Sequence, residues 1–206
     1  MKKRIVVAIC GASGSIYGIR LLKSLLENPI NIYLVVSASG YEIMEHEAGY
    51  KDGFNPIGFK NFLKKQGAVF HKDAVLNLYK QDNFFTPPAS GSFVHNGMVI
   101  APCSMSTLGS IAAGLADNLI KRAADVCLKE KRPLILLTRE TPLSLIHIKN
   151  MYTAAESGAI IMPPCPGFYF KPDSVEALVD SVIARVLDRL NIKQTLVKEW
   201  GTNGFV

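Results

Sequence analysis

The residues able to do chemistry stand in short groups, each set at the end of an apolar run. Gly11-Ala12-Ser13-Gly14 follows Ile5–Cys10, and Ser37 ends a second run. Ser104-Met105-Ser106-Thr107 follows a third through Pro102-Cys103. Arg139-Glu140 closes a fourth, and a fifth leads into Pro163-Pro164-Cys165-Pro166-Gly167-Phe168-Tyr169. Glycines beside small hydroxyls offer backbone N–H groups and short donors to an anion, and arginine offers a fork for two of its oxygens. Singly, each group has a plain structural use as helix cap, surface ion pair or amphipathic packing. Their joint placement is what points to a bound anion. The glycines at 11, 14 and 18 lack the G-x-G-x-x-G spacing, so a nicotinamide dinucleotide is not favoured. Four scattered cysteines without C-x-x-C and four scattered histidines support neither a disulfide framework nor a zinc site. No histidine neighbours Cys103 or Cys165 in sequence, so both read as packing residues rather than nucleophiles.

Strands and helices must bring these groups together, and the apolar pattern supplies them. Arg4–Cys10, Asn31–Ser37, Gly97–Ala101, Pro133–Thr138 and Ala159–Met162 read as buried strands. Helices are predicted over Ile16–Glu27, Ser39–Ala48, Leu108–Lys129 with a break at Gly114, Pro142–Gly158 and Ser174–Leu190. The last is the cleanest amphipathic stretch; Ser174 is its N-cap, Arg185 flanks its apolar stripe, and Ala177 stands where a capping-box glutamate would sit. Residues 49–96 show no regular pattern beyond short apolar pieces at Ala68–Phe70 and Val75–Tyr79. Strands alternating with helices predict an α/β fold with a mostly parallel sheet covered on both faces, and such sheets bind ligands beyond the carboxyl ends of their strands. That rule predicts that all the groups above, Tyr169 included, converge on one edge.

The chain has 206 residues, 49% of them apolar and 19% charged, which suits one domain with a real core and excludes disorder. No apolar run has the length of a membrane span, and the N-terminal run is too short for a signal peptide, so the expected compartment is the cytoplasm. The net charge of +6 comes from dispersed basic residues without a nucleic-acid-binding signature, and anionic small ligands account for it equally well.

Together, Gly11-Ala12-Ser13-Gly14 with Tyr17-Gly18, Pro88-Ala89-Ser90-Gly91-Ser92, Pro102-Cys103-Ser104, Arg122-Ala123-Ala124-Asp125-Val126, Arg132-Pro133-Leu134, Arg139-Glu140-Thr141-Pro142 and Pro166-Gly167-Phe168-Tyr169 resemble the UbiX-type flavin prenyltransferase family. They run in order along the chain, residues 49–85 excepted. The resemblance implies a flavodoxin-like (Rossmann-type) three-layer fold over 1–206, with a tail from about 191 that docks on the site or on a neighbouring subunit. It implies transfer of a dimethylallyl group from dimethylallyl monophosphate to reduced FMN, forming bonds at flavin N5 and C6 and releasing phosphate without a metal. It further implies a homo-oligomer, a dodecamer, and a UbiD-type decarboxylase that takes the prenylated FMN, as in ubiquinone biosynthesis.

By the same resemblance, FMN contacts fall on Gly11, Ala12, Ser13, Ser37, Ser104, Met105, Ser106, Thr107 and Arg139. Prenyl-phosphate contacts fall on Tyr169 and Arg185, with Lys129, Ser90, Gly91 and Arg122 nearby, some from neighbouring subunits. Glu47 and Glu140 match catalytic carboxylates, and Trp200 matches an aromatic over the prenyl group. The chemistry suits these types. A departing phosphate without a metal needs protein cations and a proton donor, and an allylic cation needs an aromatic face and shelter from water. The nearest rival is an FMN-dependent cysteine decarboxylase of the homo-oligomeric flavoprotein type; its Pro-Ala-Ser-Ala-Asn-Thr stands here as Pro102-Cys103-Ser104-Met105-Ser106-Thr107. A flavodoxin-like electron carrier would be acidic rather than +6.

Overall fold

The structure, a computed structural model, describes residues 2–198. Six strands form one all-parallel sheet: β1 (Arg4–Ile9), β2 (Asn31–Val36), β3 (Val75–Tyr79), β4 (Met98–Cys103), β5 (Leu134–Thr138) and β6 (Ile160–Ile161). Their order is β3-β2-β1-β4-β5-β6, so the winding reverses between β1 and β4. Alternation along β1 sends Ile5, Val7 and Ile9 into one core and Val6, Ala8 and Cys10 into another. The first core lies under α1 (Ser15–Leu26) and α7 (Val175–Arg189); the second lies under α4 (Met105–Ala112) and α5 (Leu119–Lys129), with Ala154 of α6 (Leu145–Glu156). Two apolar faces on one strand require helices on both sides, the three-layer flavodoxin-like arrangement expected from the sequence.

Helix starts follow their caps. Ser37, Ser104, Asn118, Ser144 and Ser174 each accept a hydrogen bond from the helix they open, α2 (Ala38–Ala48) included. Ser144 completes a capping box with His147, whereas Ser174 has the one-sided cap its sequence predicts.

Several boundaries differ from the sequence expectation. The predicted helix 108–129 is two helices separated at Gly114, whose φ is +70°, and the first begins at Met105 because Ser104 is already its cap. The helix predicted from Pro142 begins at Leu145 behind Ser144. In the uncharted stretch, Asn55 caps α3 (Pro56–Lys65), which buries Phe59, Phe62 and Leu63, and Val75–Tyr79 pairs with β2 as the edge strand.

Candidate functional site

Where the winding reverses, no helix crosses the gap between the ends of β1 and β4, and a ligand can enter. Cys10 N–H donates to Pro102 O at 3.1 Å, tying the two strand ends. The first loop lies flush on α2: a Cβ on Gly11 would stand 2.2 Å from Ser39 Oγ. Ala12 is buried and its N–H donates to Cys10 O at 2.9 Å, while Ser13 is exposed. Ser37 Oγ accepts from Gly40 N–H at 2.9 Å and lies 3.3 Å from Ser39 Oγ. Across the gap, Ser104 Oγ accepts from Thr107 N–H at 3.2 Å and donates to Thr107 Oγ1 at 3.0 Å, which donates on to Cys10 Sγ at 3.4 Å. Met105 packs against the second core and Ser106 is exposed. Arg139 closes the crevice from β5, its N–H on Cys103 O at 3.2 Å and its Nε on Ser13 O at 3.1 Å. Glu140 beside it is exposed, with Oε1 accepting from Thr141 N–H at 3.0 Å. Burial pushes the Cys10 thiol up to about 11 and that of Cys103 well above the ordinary range, so both stay protonated.

α1 has no side-chain cap of its own; Gly14 precedes it at φ +102°. Glu47, reaching over from α2, takes that place. It accepts from Gly14 N–H at 3.1 Å and from Ser15 N–H at 2.8 Å. Partial burial opposes its charge, but the polar groups of the Ser13–Ser15 turn, its N–H groups among them, outweigh burial and hold the carboxyl below the usual range. Glu47 is therefore an ionised carboxylate seated on the helix N-terminus.

A second group forms at the opposite edge. Arg132 donates to Gly91 O at 2.6 Å and to Phe93 O at 2.8 Å, folding the 90–93 loop back onto the end of α5. Ser90 Oγ lies 2.8 Å from Ser92 Oγ, and Lys129 pairs with Glu130 at 3.2 Å. A Cβ on Gly91 would stand 3.1 Å from Lys129 Nζ. Arg122, two turns before Lys129 on the same face of α5, pairs with Asp125 at 3.7 Å. β5 separates this group from Arg139; its extended run from Pro133 to Arg139 spans about 20 Å at roughly 3.3 Å per residue.

A third group lies along α7. Tyr169 and Arg185 line one hollow of about 380 Å³ together with the chain after α7. Arg185 Nη1 donates to Asp188 Oδ2 at 3.1 Å, and the Tyr169 ring covers Gly167 so closely that a Cβ there would meet it at 2.6 Å.

The expected convergence on one edge therefore needs correction. Gly11 to Ser13, Ser37, Glu47, Ser104 to Thr107, Arg139 and Glu140 gather around the reversal point. Ser90, Gly91 and Lys129 stand at the far edge, because a helix packed on a parallel sheet ends where the next strand begins. Tyr169 is drawn to Arg185 by the proline-rich loop rather than to Arg139. Trp200 lies outside the described residues. The sequence reading missed Ser39, which walls Gly11, and Asp188, whose i,i+3 spacing from Arg185 was the available signal. Among the described residues no cluster of three His, Cys, Asp or Glu could hold a metal, and no helix is long and apolar enough to cross a membrane.

The flavoprotein family model matches residues 1–187. A flavin prenyltransferase UbiX from Pseudomonas aeruginosa is 42% identical over 205 residues, covering 99% of this chain and 97% of that protein. A solved UbiX structure in complex with FMN and dimethylallyl pyrophosphate superposes with a TM-score of 0.84 at 37% identity, covering 98% of both chains. A dodecameric FMN-dependent UbiX-like decarboxylase from Escherichia coli O157:H7 superposes with a TM-score of 0.82 at 36% identity, covering 96% of this chain and 98% of that one.

Proposed function

We propose a reaction from one premise: this chain belongs to the flavoprotein family, in its UbiX-type flavin prenyltransferase branch. It transfers a dimethylallyl group from dimethylallyl monophosphate to reduced FMN and releases phosphate. The observation that carries this is a flavin-type crevice in the same chain as a separate hollow where a phenol and a guanidinium meet. Hydroxyls, helix-start N–H groups and one guanidinium make up the crevice, a donor set that fits a flavin phosphate and the polar edge of its ring. Gly11, Ala12, Ser13, Ser37, Ser104 to Thr107 and Arg139 would hold FMN there. When bound reduced, FMN would supply N5, to take the allylic carbon as its bond to the phosphate oxygen breaks with loss of the N5 proton, and C6, to add across the prenyl double bond with one proton lost from C6 and one gained by the other alkene carbon.

The protein's part is to hold charge and protons. Arg185 and the Tyr169 hydroxyl, presented to the crevice of a neighbouring copy, bind the phosphate and stabilise it as it leaves. Glu140, oriented by Thr141 N–H, is the proton donor to the departing phosphate, whose second pKa is about 6. Glu47, held as a carboxylate by Gly14 N–H and Ser15 N–H beside the first loop, is the candidate proton acceptor. Trp200 is assigned to shielding the allylic cation.

Lys129, Ser90, Gly91 and Arg122 act in trans. Lys129, Ser90 and Gly91 lie at the opposite end of β5 from Arg139, a strand run of about 20 Å, so together with Arg122, two turns back along α5, they complete a neighbour's site. A homo-oligomer supplies that neighbour, and likeness to a dodecameric protein supports twelve copies. α6 offers an adhesive surface: Leu145, Ile146, Ile148 and Tyr152 are all exposed on it. The reading extends to one catalytic domain in the cytoplasm that serves a UbiD-type decarboxylase and needs no metal. The cysteine decarboxylase reading is not favoured.

The test is anaerobic incubation with FMN, dithionite and dimethylallyl monophosphate, followed by the mass of the extracted flavin. A gain of one C5 unit, absent with oxidised FMN and reduced in Glu140→Gln, is expected. Unmodified flavin from FMN-loaded protein, with the monophosphate and then the diphosphate, would sink the assignment.

A further inference from the structure

The hollow that holds Tyr169 and Arg185 is walled by the chain after α7. After α7 the chain turns back instead of leaving the surface. Ile192 is buried in the first core, and Leu196 packs against the same core. Between them, Gln194 locks the backbone with its own amide. Its Oε1 accepts from Leu196 N–H at 2.8 Å and Val197 N–H at 3.1 Å, and its Nε2 donates to Val197 O at 3.1 Å. Three hydrogen bonds from one side chain fix the backbone direction just before Lys198. That direction brings Gln194, Val197 and Lys198 to the hollow's rim, facing Tyr169, Ser181 and Arg185.

Charge gives this wall a use. Arg185 is already paired with Asp188 at 3.1 Å, so the two together offer a phosphate little net charge. A phosphate monoester carries one to two negative charges near neutral pH. Among the described residues lining the hollow, Lys198 is the cation not already offset by Asp188, and a lysine on a flexible stem suits a phosphate as a point charge.

We propose that Lys198 binds the phosphate of the allylic substrate beside Tyr169 and Arg185, and that Gln194 is the positioning residue that holds Lys198 at the hollow. This rests on the prenyltransferase reading, which is what places a phosphate there. Lys198 sets affinity for the phosphate-bearing substrate, and FMN affinity is independent of it.

Two measurements decide it. Inorganic phosphate is titrated into the FMN-loaded full-length protein and followed by phosphorus NMR, and KM for dimethylallyl monophosphate is measured separately. Lys198→Ala and Lys198→Gln should each weaken phosphate binding and raise KM about tenfold, the size of one charge-assisted contact, with kcat within about twofold. Lys198→Arg should restore most of the loss, and FMN affinity should not move. Gln194→Ala should raise KM in the same direction with kcat unchanged. Unchanged phosphate affinity and KM in both Lys198 variants would overturn the proposal. A lower melting temperature with unchanged KM in Gln194→Ala would overturn the positioning role. If the wild type binds phosphate through Lys198 but forms no prenylated flavin, the reaction assignment fails and the hollow's anion site stands.

Discussion

The two edges of the sheet hold their polar groups in different ways. At the carboxyl edge each group is tied to another element: Thr107 to Cys10, Arg139 to Ser13, Glu47 to the start of α1. The first two ties cross the gap between β1 and β4, and the third joins α2 to α1 beside it. At the amino edge the groups hang on a loop folded back by Arg132, and Lys129 touches Gly91 and Glu130 on the surface. The first arrangement is a finished receptor. The second is an exposed cluster in which Lys129 pairs with Glu130, and the proposed function sets it against another copy of the chain.

The sharpest way to break that contrast is to disable each edge separately. Arg139→Ala and Lys129→Ala should each lower activity by roughly 100-fold or more, the cost of losing a preorganised charge contact. Mixed oligomers refolded from the two inactive variants should regain about a quarter of wild-type activity, because random pairing rebuilds that share of intersubunit sites. No recovery would mean that both edges serve one chain.

Acid distinguishes the edges by stability. At the amino edge His95 is 5% exposed, and burial lowers it from 6.5 to about 4. The unfolded chain therefore binds a proton that the folded one refuses, and stability falls as pH drops from 6.5 towards 4, by at most about 3 kcal/mol. Thermal melts of His95→Gln against the wild type should show this loss disappear from the variant.

Steric tolerance should differ next. Gly11→Ala drives a Cβ to 2.2 Å from Ser39 Oγ and 3.2 Å from the Ser39 backbone, and should cost about 1–3 kcal/mol together with FMN affinity. Gly91→Ala meets the mobile end of Glu130 at 2.4 Å, and should cost less than about 0.5 kcal/mol in a denaturant titration. A similarly small effect belongs to Glu47. Its lowered pKa stabilises the fold above about pH 4.3, and that contribution is lost as pH falls through the folded value. Because the residue is exposed, Glu47→Gln should cost only about 0.5 kcal/mol at neutral pH, with no difference from the wild type in strong acid.

The central sheet was legible because fully apolar strands such as Ile5–Ile9 admit one reading. The carboxyl-edge groups were legible because strand ends fix them in sequence. α3 was hidden because Phe59, Phe62 and Leu63 sit among lysines, although Asn55-Pro56 announced its start. The split of the site was illegible because order along the chain does not say at which end of a strand a distant loop lies. Tyr169 reads as a neighbour of Arg139 until the loop is seen to carry it to Arg185.

The carboxylate of Glu47 on the start of α1 has a kinetic consequence. It supplies an anion to that helix end permanently, so the Gly11–Gly14 loop is ordered before any ligand arrives. Little conformational entropy is then lost on association, and the on-rate should reflect diffusional encounter rather than loop rearrangement. Concentration-dependent, single-phase FMN binding in a stopped-flow trace is the corresponding signature.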